Sequence, residues 1–84
     1  MAFTYILYSG KLDKYYVGST LNKEERLARH NRGTEKFTST GIPWIMVYSE
    51  SFDLALDARR REMEIKRKKS RKYIQWLIDS SRQG

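Results

Sequence analysis

Five side chains in this sequence carry groups that could together hydrolyse a phosphodiester: Tyr5, Tyr16, Arg26, His30 and Glu62. Glu62 is the most telling. The segment from Asp53 to Lys69 has the period of an amphipathic helix, with Leu54, Ala55, Ala58 and Ile65 on its inward stripe. Glu62 falls inside that stripe, between Ala58 and Ile65, while Glu64 points the opposite way. A carboxylate on a buried face costs free energy unless a cation or hydrogen-bond donors meet it. Binding a divalent metal is one reason to keep it there. Arg26 and His30 are four apart, so they project from one helical face. Tyr5 and Tyr16 add phenols. Gly18, two after Tyr16, lets a backbone or ligand come close. The set supplies a group to take a proton from water, a carboxylate for a divalent ion and a cation for developing charge.

Taken singly, each residue has a plainer role. The tyrosines fit amphipathic strands, Arg26 fits a surface helix, and His30 fits a helix C-terminus, where a cation is favoured. Glu62 could be salt-bridged to Arg26 for structural reasons. Their joint presence favours chemistry.

The elements that must position these groups follow from the pattern. Phe3 to Tyr8 is predicted as a strand, with Phe3, Tyr5 and Leu7 on one face and Thr4, Ile6 and Tyr8 on the other. Ser9, Gly10 and Asp13 mark a loop, and Tyr15 to Ser19 is the second arm of a hairpin. Asn22 is the expected N-cap of a helix reaching about Arg32, with Glu25 completing a capping box and Gly33 as the stop. Gly33 to Pro43 reads as a polar loop, and Trp44 to Tyr48 as a third strand. Ser51 or Asp53 is expected to cap the long helix. Ser70 interrupts or recaps it before a last amphipathic set of Tyr73, Ile74, Leu77 and Ile78. Trp76 is expected to pack on the small sheet. The order β-β-α-β-α-α predicts an α+β fold, a small three-stranded, mostly antiparallel sheet flanked by helices, as one domain over residues 1–84.

Eighty-four residues allow one small core. The absence of cysteine excludes disulfides and thiolate metal sites and suits a reducing compartment. The opening residues lack the pattern of a signal peptide. No apolar run approaches the roughly 18 residues of a membrane helix. A cytoplasmic protein, monomeric and without membrane partners, is the expectation. The net charge is +7, from 17 Lys and Arg against 10 acids, with many cations between Arg59 and Lys72. Such a surplus suits polyanions through counterion release, or simply a solvated helix face.

Together these residues resemble the GIY-YIG endonucleases, over nearly the whole chain. The first motif is similar to Phe3-Thr4-Tyr5-Ile6-Leu7 and the second to Tyr16-Val17-Gly18. Arg26 to Asn31 resembles the family's Arg-x-x-x-His helix. Lys36-Phe37-Thr38, Pro43-Trp44 and Arg61 to Lys66 resemble small stand-alone bacterial members. The resemblance implies that Glu62 ligates a single Mg²⁺ or Mn²⁺, that Arg26 binds the scissile phosphate, and that Tyr5, Tyr16 or His30 handles the proton of the attacking water. An unperturbed tyrosine titrates near 10, so a nearby cation is needed for it to act as a base at neutral pH. The implied partner is DNA, with RNA as an alternative, contacted by Arg26, Lys36, Lys66 and Lys69. Phe3 and Thr4 depart from the family's Gly and Ile. Ser19 stands where the excision-repair nucleases carry lysine, which removes a cation near Tyr16 and shifts weight to His30. The implied function is a metal-dependent DNA endonuclease, structure-selective in repair or recombination. The competing readings are a non-catalytic nucleic-acid-binding module and a nuclease subunit that requires a protein partner.

Overall fold

A computed structural model describes residues 1–82. Its sheet is antiparallel with strand order β2-β1-β3: β1 is Ala2–Ser9, β2 Lys14–Thr20 and β3 Trp44–Phe52. The helices are α1 (Lys23–Asn31), α2 (Ala55–Lys68) and α3 (Arg71–Arg82), with a short 3₁₀ turn at Ser39–Gly41. This is the expected α+β fold and element order.

The central strand β1 is covered on both faces, which explains why Thr4 through Leu7 are all buried. Ile6 joins Val17, Ile65 and Leu77 in one core layer, and the Thr4 hydroxyl donates to the Ala58 carbonyl at 2.6 Å, tying β1 to α2. On the opposite face Tyr5 and Leu7 pack with Trp44, against Leu27, Ile42 and Met46. The predicted division of β1 side chains between two faces is therefore observed, and strand β2 forms one edge.

Several boundaries differ from expectation. Strand β3 runs four residues past Tyr48, because Ser49–Phe52 find ladder partners in Ala2–Tyr5. Pairing overrides the weak strand preference of Ser49, Glu50 and Ser51. That extension delays α2, whose N-cap is Leu54 with no side-chain cap, so neither Ser51 nor Asp53 serves. Leu54 and Ala55 are exposed, leaving Ala58 and Ile65 as the buried stripe of α2. In α1 only half of the capping box forms: the Glu25 N–H donates to Asn22 Oδ1 at 3.1 Å, while the Asn22 N–H donates to Thr20 Oγ1 at 3.2 Å. Gly33 follows α1 with φ +77°, a left-handed turn suited to glycine. Lys69 ends α2 in the left-handed region, and Ser70 recaps the chain, its Oγ accepting from the Tyr73 N–H at 3.1 Å. Trp76 does not pack on the sheet. It is 59% exposed and stacks on Tyr73, since Leu77 and Ile78 take the inward face of α3.

Candidate active site

Two clusters of functional side chains meet around the edge strand β2. The first begins with Tyr5, on the face of β1 that looks towards α1. Its cross-strand neighbour is Gly18. A Cβ at Gly18 would lie 2.5 Å from the Tyr5 hydroxyl oxygen, so only glycine lets the phenol cross β2 at that point. The Tyr5 hydroxyl is 3.2 Å from His30 Nε2, and His30 Nδ1 is 2.9 Å from Thr38 Oγ1. His30 and Thr38 are both buried, and the Thr38 carbonyl accepts from Trp44 Nε1 at 2.7 Å. Tyr16, half-buried on β2, sets its ring edge-on to His30 with centroids 5.0 Å apart.

Burial pushes the Tyr5 phenol up to about 12. Tyr16 adds to the shift, while the neighbouring Arg26 opposes it. Burial likewise holds His30 below its usual range, outweighing the pull of Glu35. A neutral imidazole that accepts from Tyr5 and donates to Thr38 satisfies all three groups. Arg26 projects from α1 one turn before His30. Its Nε is buried, and it is the only such side-chain atom among the described residues with no hydrogen-bond partner.

The second cluster lies on α2. Glu62 is half-buried, and both carboxylate oxygens are engaged: Ser19 Oγ donates to Oε1 at 2.7 Å and Lys66 Nζ to Oε2 at 2.6 Å. Desolvation alone would raise its pKa, but these two donors outweigh it and leave the carboxyl below its ordinary range. Glu62 is not paired with Arg26. The Lys66 ammonium lies 5.9 Å from the Tyr16 ring centroid and so joins the two clusters. Glu62 is also near enough to Tyr5 to act on its titration.

Of the other expected nucleic-acid contacts, Lys69 lies exposed at the end of α2, on the rim of a groove shared with Tyr16 and Lys66. Lys36 is exposed in the connection after α1, and its carbonyl accepts from Ser39 Oγ at 3.1 Å. Lys36 is not among the residues lining that groove.

Ser19 does not leave Tyr16 without a cation, as its place in the motif suggested. The helical neighbour Lys66 supplies one, and Ser19 instead orients Glu62. Thr38 and Ser19 are site neighbours that spacing did not reveal. The resemblance of Lys36-Phe37-Thr38 to small family members drew notice to Thr38 without naming His30 as its partner, and the adjacency of Ser19 to Tyr16-Val17-Gly18 was a usable signal.

The fit to a divalent ion rests on one carboxylate, Glu62, whose two oxygens are engaged by Ser19 and Lys66. Glu62 is an ionised carboxylate at an open edge, and Mg²⁺ is commonly held through one or two carboxylates with waters and substrate phosphate completing its shell. No cluster of three His, Cys, Asp or Glu residues, as an all-protein cage would need, occurs among the described residues.

The GIY-YIG catalytic domain matches residues 1–74. The UPF0213 protein of Staphylococcus haemolyticus is 46% identical over 57 residues, covering 67% of this chain and 70% of its own. The UPF0213 protein YsiG of Lactococcus lactis is 43% identical over 78 residues, covering 90% of this chain and 73% of its own. The Clostridium perfringens relative is 34% identical over 82 residues, covering 96% and 87%. No solved structure matches. With the family match spanning residues 1–74 and relatives covering most of the sequence, the chain belongs to the GIY-YIG nuclease family.

Proposed function

We propose that this protein is a cytoplasmic endonuclease that uses one Mg²⁺ or Mn²⁺ to hydrolyse phosphodiester bonds in DNA, selecting its substrate by structure and serving repair or recombination. The observation that carries the reading is that the Glu62 carboxylate, held below its ordinary range, and the Arg26 guanidinium, whose buried Nε has no hydrogen-bond partner, both act on the Tyr5 phenol. On this reading the Arg26 guanidinium meets the substrate phosphate and the Glu62 carboxylate the metal.

When bound, the ion supplies charge neutralisation at the scissile phosphate. Glu62 would hold it, in place of the Lys66 contact to one of its oxygens. Arg26 binds the phosphate and stabilises the charge that develops on it. Tyr5 and His30 are disfavoured as general base. The first is held protonated by burial, and the second is buried with both ring nitrogens engaged. They instead fix the wall against which Tyr16 rests. Tyr16, half-buried beside Lys66, orients the attacking water and, as the phenolate formed when its own proton passes to solvent, takes the water's proton. Lys36, Lys66 and Lys69 extend the contact along the phosphate backbone.

The test is cleavage of duplex, single-stranded, flap and branched DNA and one RNA, with Mn²⁺, Mg²⁺ or EDTA. Cutting should require the metal and disappear in Glu62→Ala, and Arg26→Ala should lower the rate by about 10²–10³-fold. Unchanged cleavage in Glu62→Ala would sink the assignment.

A further inference from the structure

Beside Tyr16 the surface opens into a groove of about 500 Å³, with Val17, Ile65 and Ile74 among its lining. Tyr15, Tyr16 and Phe37 also line it, and the same three rings border a second recess of about 260 Å³. Phe37 is 87% exposed, an unusual position for a phenylalanine in so small a protein. Four cations edge the larger groove. Lys66 is engaged by Glu62 and Arg71 by Asp13. The other two are Lys14 and Lys69, both exposed. Arg71 lies over the Tyr15 ring at 5.1 Å, and Lys66 lies 5.9 Å from the Tyr16 ring, so cations and aromatic rings share the lining.

This composition selects an occupant. Cations along a groove beside an exposed aromatic ring bind single strands, whose unpaired bases stack on such a ring, and Phe37 is that ring here. A duplex keeps its base faces stacked internally and offers such rings nothing but phosphates. We propose that the groove seats an unpaired stretch of DNA next to the phosphate to be cut, with one base stacked on Phe37 and the backbone led past Lys14 and Lys69. Resting on the nuclease reading above, this assigns the preferred substrate class as single-stranded or flapped DNA.

The test measures anisotropy of fluorescein-labelled oligonucleotides in EDTA, where no cleavage occurs, against wild type, Phe37→Ala and Phe37→Trp. Phe37 is exposed, so neither substitution disturbs the core. Phe37→Ala should weaken binding of the single strand and the flap about tenfold and leave the duplex within about twofold. Phe37→Trp should restore affinity, with its emission quenched by the oligonucleotide. Equal losses on all ligands, no loss on any, or tighter binding of the matching RNA would overturn the assignment. Metal-dependent cleavage of the same oligonucleotides by wild type is followed in parallel. Cleavage with binding indifferent to Phe37 overturns the groove alone. Phe37-dependent binding of the single strand without cleavage overturns the nuclease reading and leaves the groove standing.

Discussion

The Tyr5 phenol and the His30 imidazole are the two titratable groups that the fold buries most completely at the site, and both are held neutral there. Neutrality has a consequence for stability. The folded Tyr5 titrates at about 12 against 10.0 in the unfolded chain, so the native state keeps a proton that the unfolded state has lost between those values. Its contribution is complete below pH 10 and disappears as pH rises through about 12. Tyr48, also raised to about 12 by burial, acts in the same direction. Thermal unfolding followed from pH 8 to pH 12 should show a declining midpoint, and Tyr5→Phe should decline less steeply (roughly the effect of one group). Parallel curves for the two proteins would refute the burial argument. Under the proposed function Tyr5 is a positioning residue, and the half-buried Tyr16 is the phenol that meets the water.

At the scale of elements, the site depends on how a central strand, an edge strand and a helix are fitted together. Strand β1 carries Tyr5, β2 carries Tyr16, Gly18 and Ser19, and α2 brings Glu62 and Lys66 round the open edge. The tightest point is Gly18 under the Tyr5 ring. A methyl group there would meet the hydroxyl oxygen at 2.5 Å and Cζ at 2.7 Å. Because Tyr5 is fully buried, the ring has no free space into which to swing. Gly18→Ala should therefore destabilise the protein by about 1–3 kcal/mol in urea unfolding and break the contact with His30. A variant as stable as wild type would show that Tyr5 can yield. The helix break at Lys69–Ser70 matters in a different way. The left-handed Lys69 turns the chain sharply, so α3 covers the core with Leu77 and Ile78 while Lys69 stays on the rim of the groove.

For the molecule as a whole, the excess of seven positive charges acts on any polyanion, and its effect is separable from catalysis. DNA binding in EDTA should weaken steeply with salt, and Lys69→Ala should reduce the slope of log affinity against log salt by about 1, without regard to sequence. An unchanged slope would remove Lys69 from the phosphate path. Among the described residues no helix is long and apolar enough to cross a membrane. How much of this was legible beforehand depended on whether the determining contacts were local. Alternation in Phe3–Tyr8 and the helical period around Ala58 and Ile65 are properties of neighbouring residues, so the sequence alone determined the element order, the two faces of β1 and the half-buried place of Glu62 on α2. The spacing of Arg26 and His30 likewise placed them on one face. Tertiary structure decided the rest. The extension of β3 came from pairing with β1, and the loss of the expected caps on α2 followed from it. Thr38 meets His30, Ser19 and Lys66 take up Glu62, and Phe37 reaches the wall of a groove with Tyr15 and Tyr16, only because the chain closes around the edge of β2. Periodicity reports which face a residue takes; what lies opposite that face is set by contacts between segments distant in sequence.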